Sequence, residues 1–548
     1  VEQAMANRPD IRTARLKSES GKLSVAILAS RVLGLAREVV FAALFGAGAI
    51  ADAYAVAFRI PNLLRDLFAE GALSSAFVPT FTAAMRQDGQ ARAHVLGHLT
   101  MSCVLVVTGV IAALATVFAE PIVHAFSAGF AGDAEKVALA TRLTRVMMPV
   151  LVLVSLGAVW MGMLNAQRRF VIPAIAPALF NVASIVTGAL VWAAGGGLER
   201  GVLIWSVGTV AAGAMQALVQ LVALWRMGYR PHLRLVGALR DEGVRRIARL
   251  MAPAVLGVAA VQLSVFVNTR FAASLGDGPV AQLSYAFRLF FLPLGMFGVA
   301  LATVTTTSVS EAAADGDRHQ LLARAAESVS AAWLLVSASA VGLFVLADPL
   351  VTMIYRHGQT TSADAAAIAV VLQAYVVGLL PYSLVKILAP TFYTIDRPRV
   401  PLLASAIGVA VSVVFNALTY RELGAPGIAF GTSLGAIANL VVLRIAIARV
   451  VGELPRPRWL RNLGVLALAN TVMAAVVWGA WQVVEHGLHV FAPGGPLGFG
   501  LMVVALGIVV TIGFVAFAGL CRAFGYPAAD ALWRMPSAIL RRLRRRPS

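Results

Sequence analysis

Charged side chains interrupt two strongly apolar stretches between residues 30 and 79, and this feature limits the possible folds more than any other. If the first stretch forms a helix over about 23–45, Arg31 and Arg37 lie within roughly 5 Å of its middle, at a rise of 1.5 Å per residue. A charge at the centre of a bilayer costs about 2.5–3.5 kcal/mol. Several of these side chains must therefore face water, one another or a charged ligand. The residues concerned are Arg31, Arg37, Glu38, Asp52, Arg59, Arg65, Asp66 and Glu70.

The composition places these helices in a membrane. Of the 548 residues, 59% are hydrophobic and 13% are charged, and the mean hydropathy is +0.82; soluble domains carry about a quarter charged residues. Apolar runs of about 20 residues predict spanning helices. We therefore predict an all-α polytopic membrane protein with about fourteen transmembrane helices. They are placed at 24–46, 60–85, 95–118, 140–164, 171–194, 201–225, 247–272, 283–307, 327–347, 366–392, 400–419, 425–448, 462–484 and 497–521.

Arginine and lysine are concentrated in alternate loops. The N-terminal tail, the loop with Arg168 and Arg169, and the stretch 226–249 are basic, whereas loops such as 119–138 and 274–280 are poor in these residues. The positive-inside rule places the basic loops, and with them both termini, in the cytoplasm. The 226–249 stretch either lies at the headgroup surface as an amphipathic segment or serves only as a topogenic loop.

An internal repeat is visible in the sequence. AYAVAFRIP (53–61) echoes LSYAFRLFFLP (283–293), and RRFVIP (168–173) echoes RPRVP (397–401). We predict two six-helix lobes related by a parallel repeat, followed by two extra C-terminal helices. Parallel repeats of this kind build transporters whose site lies near mid-membrane at the lobe interface. The predicted segments are a basic N-terminal tail (1–22), an N-lobe (23–226), a cytoplasmic amphipathic linker (227–246), a C-lobe (247–450), helices 13 and 14 (451–525) and a basic cytoplasmic tail (526–548).

Signatures of catalysis and of cofactor binding are missing from the sequence. There is no G-x-x-x-x-G-K-[ST] motif for ATP hydrolysis and no H-E-x-x-H zinc motif. The two cysteines, Cys103 and Cys521, both lie in apolar segments, so no disulfide framework or metal cluster is predicted. The arginines are dispersed through short loops, which argues against nucleic acid as a partner. The sequence therefore predicts no enzyme, no metal and no cofactor.

Cationic groups at mid-membrane are the positive signal. Arg31 and Glu38 are seven residues apart and share a helix face, whereas Arg37 projects about 120° from Arg31. Arg65 follows Pro61, whose missing N–H favours a break in the second helix. Arg288 lies before Pro293 in the equivalent helix of the second repeat. Guanidinium groups present forked donors that suit phosphate oxygens. The alternative is that the arginines are structural and pair internally with the carboxylates Glu38, Asp52, Asp66 and Glu70.

Several motifs match a known family. They are SRVLGLARE (30–38), FGAGAIADAY (45–54), PNLLRDLFAEGALSSAFVP (61–79), LNAQRRFVIPAIAP (164–177) and LAPTFY (388–393). With these motifs the chain resembles the lipid II flippases of the MurJ (MviN) type, within the multidrug/oligosaccharidyl-lipid/polysaccharide exporter superfamily. The match extends over most of helices 1–12, and the two extra helices also resemble that family rather than its drug-exporting relatives.

The resemblance implies a transporter, not an enzyme. Such a flippase moves the undecaprenyl-diphosphate-linked peptidoglycan precursor, lipid II, to the outer leaflet of the bacterial cytoplasmic (inner) membrane by alternating access. A cationic central cavity would take the diphosphate, and a groove at helices 13 and 14 would take the polyprenyl tail. The expected partners are lipid II and membrane lipids; the chain is expected to be monomeric, and contacts with the cell-wall synthesis machinery stay open. The family motifs carry substrate binding over to Arg31, Arg37, Arg65, Arg288, Glu38, Asp52 and Asn165.

The chain departs from the family around Arg288. Many relatives have an acidic residue just before this arginine and a polar or acidic one three positions after it. Phe287 and Phe291 stand at these positions here. A mechanism that uses those carboxylates is therefore not expected to transfer to Arg288.

Other functions remain open at this point. A cation-coupled drug or solute antiporter would share the two-lobe architecture but would place acidic residues centrally. A membrane glycosyltransferase or phosphotransferase would need a carboxylate or histidine cluster at the interface, and none is recognisable. A scaffold for envelope assembly would not require charges at mid-membrane. A flippase of another polyprenyl-diphosphate glycan would use the same cationic groups.

Overall fold

The protein is built almost entirely from helices. The computed structural model describes residues 11–68, 72–315, 317–453, 459–491, 496–527 and 529–530. In these ranges there is no strand, and ten helices are long and apolar enough to cross a membrane. The fold class is thus the all-α polytopic membrane protein that the sequence predicts. The chain divides into two compact units, 1–281 and 282–548.

The first unit contains ten complete helices among its described residues. They are α1 (Ile11–Phe45), α2 (Ala49–Phe68), α3 (Ala72–Gln87), α4 (Gly89–Val117), α5 (Ala119–Phe126), α6 (Ala134–Met147), α7 (Pro149–Ala166), α8 (Val171–Ala194), α9 (Leu198–Arg226) and α10 (Glu242–Ala273). Short 3-10 turns lie at Ala128–Gly132 and Ala238–Arg240. The helix α11 (Pro279–Pro293) begins in this unit and continues into the second.

The second unit continues from α11 through a π-helical turn at Leu294–Gly298. Its further described helices are α12 (Val299–Ala314), α13 (Arg318–Val345), α14 (Ala347–Tyr355), α15 (Ser362–Val376), α16 (Leu379–Thr394), α17 (Arg399–Val450), α18 (Trp459–Phe491) and α19 (Pro496–Ala523). Leu334 of α13 packs with Met473 of α18 and Phe517 of α19 in one buried cluster. The two C-terminal helices therefore pack against α13 within their own unit.

The order of helices repeats between the two units. A long helix (α4, α13) is followed by a short one (α5, α14), and then by a span divided in two (α6–α7, α15–α16). A pair of long antiparallel helices comes next: α8 and α9 in the first unit, and the two arms of α17 in the second. This order confirms, at the level of element sequence, the internal repeat that the motifs predict.

The predicted spans agree with the structure except where a helix is interrupted. The span predicted at 171–194 coincides with α8. The span predicted at 60–85 stays a prediction: α2 runs through Pro61 to Phe68 and α3 covers Ala72–Gln87, and the residues between them lie outside the described ranges. The count of fourteen stays a prediction: the ten candidate spans in the described part do not include α1 or α2, which carry charged side chains within apolar sequence.

The helix α17 is a hairpin whose two arms touch along small residues. At Gly424 the backbone has a φ of 62° and reverses direction. A Cβ atom at Gly435 would lie 2.6 Å from the Gly408 carbonyl oxygen, and one at Gly431 would collide with the Asn416 side chain. Asn439 Nδ2 donates to Ser405 Oγ across the same seam at 3.3 Å. The arms are therefore in backbone contact, as membrane helices with small facing residues are.

We expect Gly435→Ala to destabilise the protein by about 1–3 kcal/mol, because the added methyl group meets backbone that cannot move aside as a side chain can. The matched control is Gly464→Ala on α18, where an added Cβ has no atom within 4 Å. Thermal unfolding of the two purified variants in the same detergent measures the difference. Equal melting temperatures would contradict the backbone contact.

Candidate functional site

Arg37 and Glu38 of α1 form an ion pair within the first unit. Arg37 Nη2 donates to Glu38 Oε1, and the two side chains are 15% and 16% exposed. The guanidinium carbon lies 5.5 Å from the centroid of the Phe180 ring of α8, in a cation–π contact. The structure thus gives Arg37 an anionic neighbour and an aromatic one and leaves part of the pair accessible.

Asn181 of α8 is a polar side chain that contacts α1. Its Nδ2 donates to the Ser30 carbonyl at 3.1 Å. The same amide faces Gly34, where an added Cβ would lie 3.4 Å from Nδ2. Helix α1 continues without interruption through this glycine. Arg31, one residue after the anchored carbonyl, is half-buried.

A second ion pair joins Arg65 and Asp66 of α2. Arg65 donates to Asp66 Oδ1 from Nη2 at 2.9 Å and from Nε at 3.2 Å. The other carboxylate oxygen, Oδ2, accepts from Gln262 Nε2 of α10 at 2.9 Å. Each side chain is 26% exposed. Asp66 therefore links the arginine to α10, a helix assigned to the second lobe from sequence that packs against α2 and α3 in the first unit.

Asp52 has a different environment from the two ion pairs. It is fully buried, and both carboxylate oxygens accept backbone N–H groups at the start of α11: Gly278 N at 2.7 Å and Ala281 N at 2.8 Å. The first N–H groups of a helix have no partner within the helix. Asp52 satisfies two of them from a distant part of the chain, so its position is that of a helix-capping group.

Lys136 is a buried residue that sequence reasoning missed. Its Nζ lies 3.4 Å from Asp52 Oδ2 and 2.6 Å from Asp277 Oδ1, and it is 4.0 Å from the centroid of the Phe130 ring. The loop 119–138 is poor in basic residues, and a single lysine in such a loop does not indicate a buried ion pair. A carboxylate among apolar helices, such as Asp52, requires a cation as its partner. This requirement is the signal that could have indicated a buried basic residue.

Arg288 lies on α11 in the second unit, on an exposed helix face. Phe287 and Phe291, its neighbours on that face, are 39% and 43% exposed. The Phe287 ring packs against Phe291, with centroids 6.1 Å apart, and edge-on against Tyr375 at 5.5 Å. The two positions at which the family resemblance implies polar or acidic residues are thus part of an aromatic cluster that borders the arginine.

The remaining candidate, Asn165, lies in the last turn of α7. It is half-buried, and its backbone carbonyl accepts from the Arg168 N–H at 2.9 Å. Glu70 lies outside the described residues. The structure therefore brings Arg37 together with Glu38, and Arg65 with Asp66, whereas Asp52, Asn165 and Arg288 occupy other environments. The internal pairing considered from sequence is confirmed for Arg37 and Arg65; substrate contact by any of these residues stays a prediction.

Guanidinium groups are chemically suited to anions, because each has five N–H donors in a planar fork. The paired arginines are partly accessible, and the helices that carry them, α1 and α2, hold further charged side chains. In the part of the chain that the structure describes, no three histidine, cysteine or acidic side chains are grouped as metal ligands.

Comparison with known proteins identifies relatives over most of the chain. A family model described as lipid II flippase MurJ matches residues 41–494. A protein of Burkholderia cenocepacia named lipid II flippase MurJ is 36% identical over 453 residues, which cover 82% of this chain and 87% of the relative. A protein of Bdellovibrio bacteriovorus named probable lipid II flippase MurJ is 33% identical over 504 residues, covering 91% and 92%.

Solved structures share the fold. A structure titled lipid II flippase MurJ in the inward closed conformation superimposes with a TM-score of 0.73 at 23% identity and covers 90% of this chain and 98% of its own. An inward-facing multidrug resistance transporter of the MATE family, in the MOP superfamily, gives 0.63 at 17% identity, covering 77% and 95%. These likenesses show the architecture.

Proposed function

Because this chain belongs to the MurJ family of lipid II flippases, we propose that it moves lipid II across the cytoplasmic membrane and that its membrane-embedded arginines bind the diphosphate. It is a transporter and not an enzyme. The observation that carries the proposal is the pair of partly accessible arginine–carboxylate sites on α1 and α2, in a chain whose curated relatives carry that name over most of its length.

The chemistry of the substrate explains the need for these arginines. A diphosphate headgroup cannot enter hydrocarbon without replacement of its hydration, because an unpaired ion there is very costly. Charge-assisted hydrogen bonds from guanidinium groups replace that hydration. We assign this role to Arg31, Arg37, Arg65 and Arg288, with Glu38 orienting Arg37 and Asn165 as a further contact. Asp52, which is buried and caps α11, is assigned to holding that helix in place.

The wider arrangement is part of the same proposal. Both termini are placed in the cytoplasm by the basic loops, and the protein acts as a monomer in the inner membrane by alternating access. The polyprenyl tail is assigned to the surface of α18 and α19. Exposed apolar side chains on these helices, such as Trp478 at 61% and Val504 at 60%, support this assignment.

The test uses bacteria depleted of their own flippase that express this protein. We expect the wild-type chain to restore lipid II at the outer face of the membrane, measured by its accessibility to an externally added lipid II-degrading enzyme. Arg288→Ala is expected to lower this exposure about 10-fold or more, because a hydrogen bond to a charged group contributes about 1.5–3 kcal/mol. The matched control is Arg356→Ala, an exposed arginine after α14.

Two other outcomes are informative. If wild type inserts normally and restores nothing, lipid II is the wrong substrate, and another polyprenyl-diphosphate glycan becomes the better assignment. The shared fold with a MATE transporter favours a cation-coupled antiporter as the second candidate. That candidate predicts drug efflux driven by an ion gradient, without any effect of Arg288→Ala on lipid II exposure.

A further inference from the structure

The segment that joins α9 to α10 is not helical over most of its length, yet it is fixed to the protein. We call residues 227–241 the strap. Tyr229 in its first part is fully buried and belongs to the same apolar cluster as Leu96 and Met163. Its ring stacks on His98 at 4.6 Å between centroids. Burial raises the pKa of the Tyr229 hydroxyl, which therefore stays neutral.

Further contacts fix the rest of the strap along α4. The Arg234 N–H donates to Ser102 Oγ at 2.9 Å. Ala238 is buried, and Asp241 accepts from Arg92 Nη2 at 2.7 Å while it caps α10 through the Val244 N–H at 3.2 Å. The strap backbone is thus held at both ends and in the middle.

Between these contacts the strap presents apolar side chains to the outside. Leu233, Leu235, Val236 and Leu239 are 67%, 51%, 91% and 82% exposed. A fixed backbone prevents these side chains from collapsing onto the protein. Apolar side chains grouped on a surface and bordered by polar ones mark an interaction site.

The charge around these apolar side chains is strongly positive. Between 226 and 249 the sequence has seven arginines and two acidic residues, and one of the two, Asp241, is paired with Arg92. Arg226, Arg230, Arg234 and Arg240 are exposed. The strap also begins where α9, a candidate span, ends at Arg226. Its position along the chain therefore places it at the depth of the lipid headgroups.

We propose that the outer face of the strap is a docking surface for anionic phospholipid headgroups. Leu233, Leu235, Val236 and Leu239 enter the boundary of the acyl chains, and the arginines bind the lipid phosphates. Segments with apolar side chains on one side and arginine or lysine on the other bind such interfaces. This inference goes beyond the transport of lipid II and does not depend on it.

The experiment measures the depth of the strap in the membrane. Spin labels are placed at Val236→Cys and Leu239→Cys in the full chain with Cys103→Ala and Cys521→Ala. The protein is reconstituted in vesicles of phosphatidylcholine alone or with phosphatidylglycerol. We expect the labels to become more accessible to oxygen and less accessible to a water-soluble nickel complex in the anionic vesicles. A label at Gln359→Cys, an exposed position in the second unit, is expected to stay in water in both.

The contribution of the arginines is tested with Arg230→Gln, Arg234→Gln and Arg240→Gln combined. Each basic residue near an anionic surface strengthens binding about fivefold, so the triple variant is expected to lose the response to phosphatidylglycerol. The control is Arg318→Gln, Arg397→Gln and Arg399→Gln, which removes the same charge from exposed positions elsewhere. Labels that stay in water in both vesicles would point to a protein partner and overturn the proposal. Labels that insert equally in both vesicles, or in the triple variant, would overturn the role of anionic headgroups.

Discussion

Bacteria that depend on an Arg37→Ala variant are expected to lose lipid II exposure at the outer face of the membrane. The substitution removes a guanidinium whose hydrogen bonds to a charged group contribute about 1.5–3 kcal/mol, or about 10- to 150-fold in binding. It also leaves Glu38 without the Arg37 contact, and this carboxylate would then repel a diphosphate. The measurement is the accessible lipid II in cells depleted of their own flippase, normalised to the amount of inserted protein.

Companion variants separate a binding role from a structural one. Arg37→Lys keeps the charge but loses the planar fork, so we expect partial activity. Arg37→Ala combined with Glu38→Gln removes both charges of the pair and is not expected to restore exposure of lipid II. Arg145→Ala is the control, because this arginine is exposed and its hydrogen bond to the Thr116 carbonyl lies outside the proposed site. Full exposure of lipid II by well-inserted Arg37→Ala would remove Arg37 from the proposed site.

The buried cluster around Asp52 gives the largest expected effect on stability. Removing one partner of a buried ion pair costs about 3–5 kcal/mol, although in Asp52→Ala the Lys136 charge keeps Asp277 as a neighbour. Asp52→Ala additionally deprives Gly278 and Ala281 of the acceptor for their N–H groups. We expect a large fall in melting temperature in detergent and a smaller yield of monodisperse protein.

A double-mutant cycle tests whether Asp52 and Lys136 act together. Lys136→Met alone is expected to destabilise the protein strongly, because it leaves Asp52 buried as a charge. In the combination Asp52→Asn with Lys136→Met no charge remains buried, so the loss is expected to be smaller than the sum, by about 0.5–3 kcal/mol. Glu120→Gln on α5 is the control, since this side chain is exposed. Additive losses would show that the two residues contribute independently.

The fold could be predicted from the sequence largely because apolar runs report span length directly. Helix α8 begins and ends where its run does, at Val171 and Ala194. The bounds of helices that contain charged residues or internal prolines are harder to predict from apolar runs. Pro61 favours a break, yet the helix continues through it to Phe68. The proline removes one backbone hydrogen bond of the helix, and this loss does not end the helix at that position.

The candidate site could be predicted only in part, because a sequence shows which residue stands at each position but not which residues it contacts. The arginines were identifiable, since charge in an apolar run is conspicuous. Phe180, which contacts Arg37, and Gln262, which donates to Asp66, are neutral and lie on other helices, so nothing in the local sequence distinguishes them. Asp52 lies in a motif (45–54) between the two that carry Arg37 and Arg65, but its neighbours in space are the start of α11 and Lys136. Asp52 and the arginines are thus close along the chain but have different contacts in the fold.

The two arginine–carboxylate pairs consist of consecutive residues, Arg37–Glu38 and Arg65–Asp66, and this bears on how the protein is made. A nascent helix enters the bilayer before the helices that later surround it have been synthesised. Each isolated charge would then cost about 2.5–3.5 kcal/mol at the centre of the helix. An opposite charge on the next residue is synthesised together with the first and can offset this cost before any other helix is present. The arginines that we propose as diphosphate ligands can therefore enter the bilayer as members of neutral pairs.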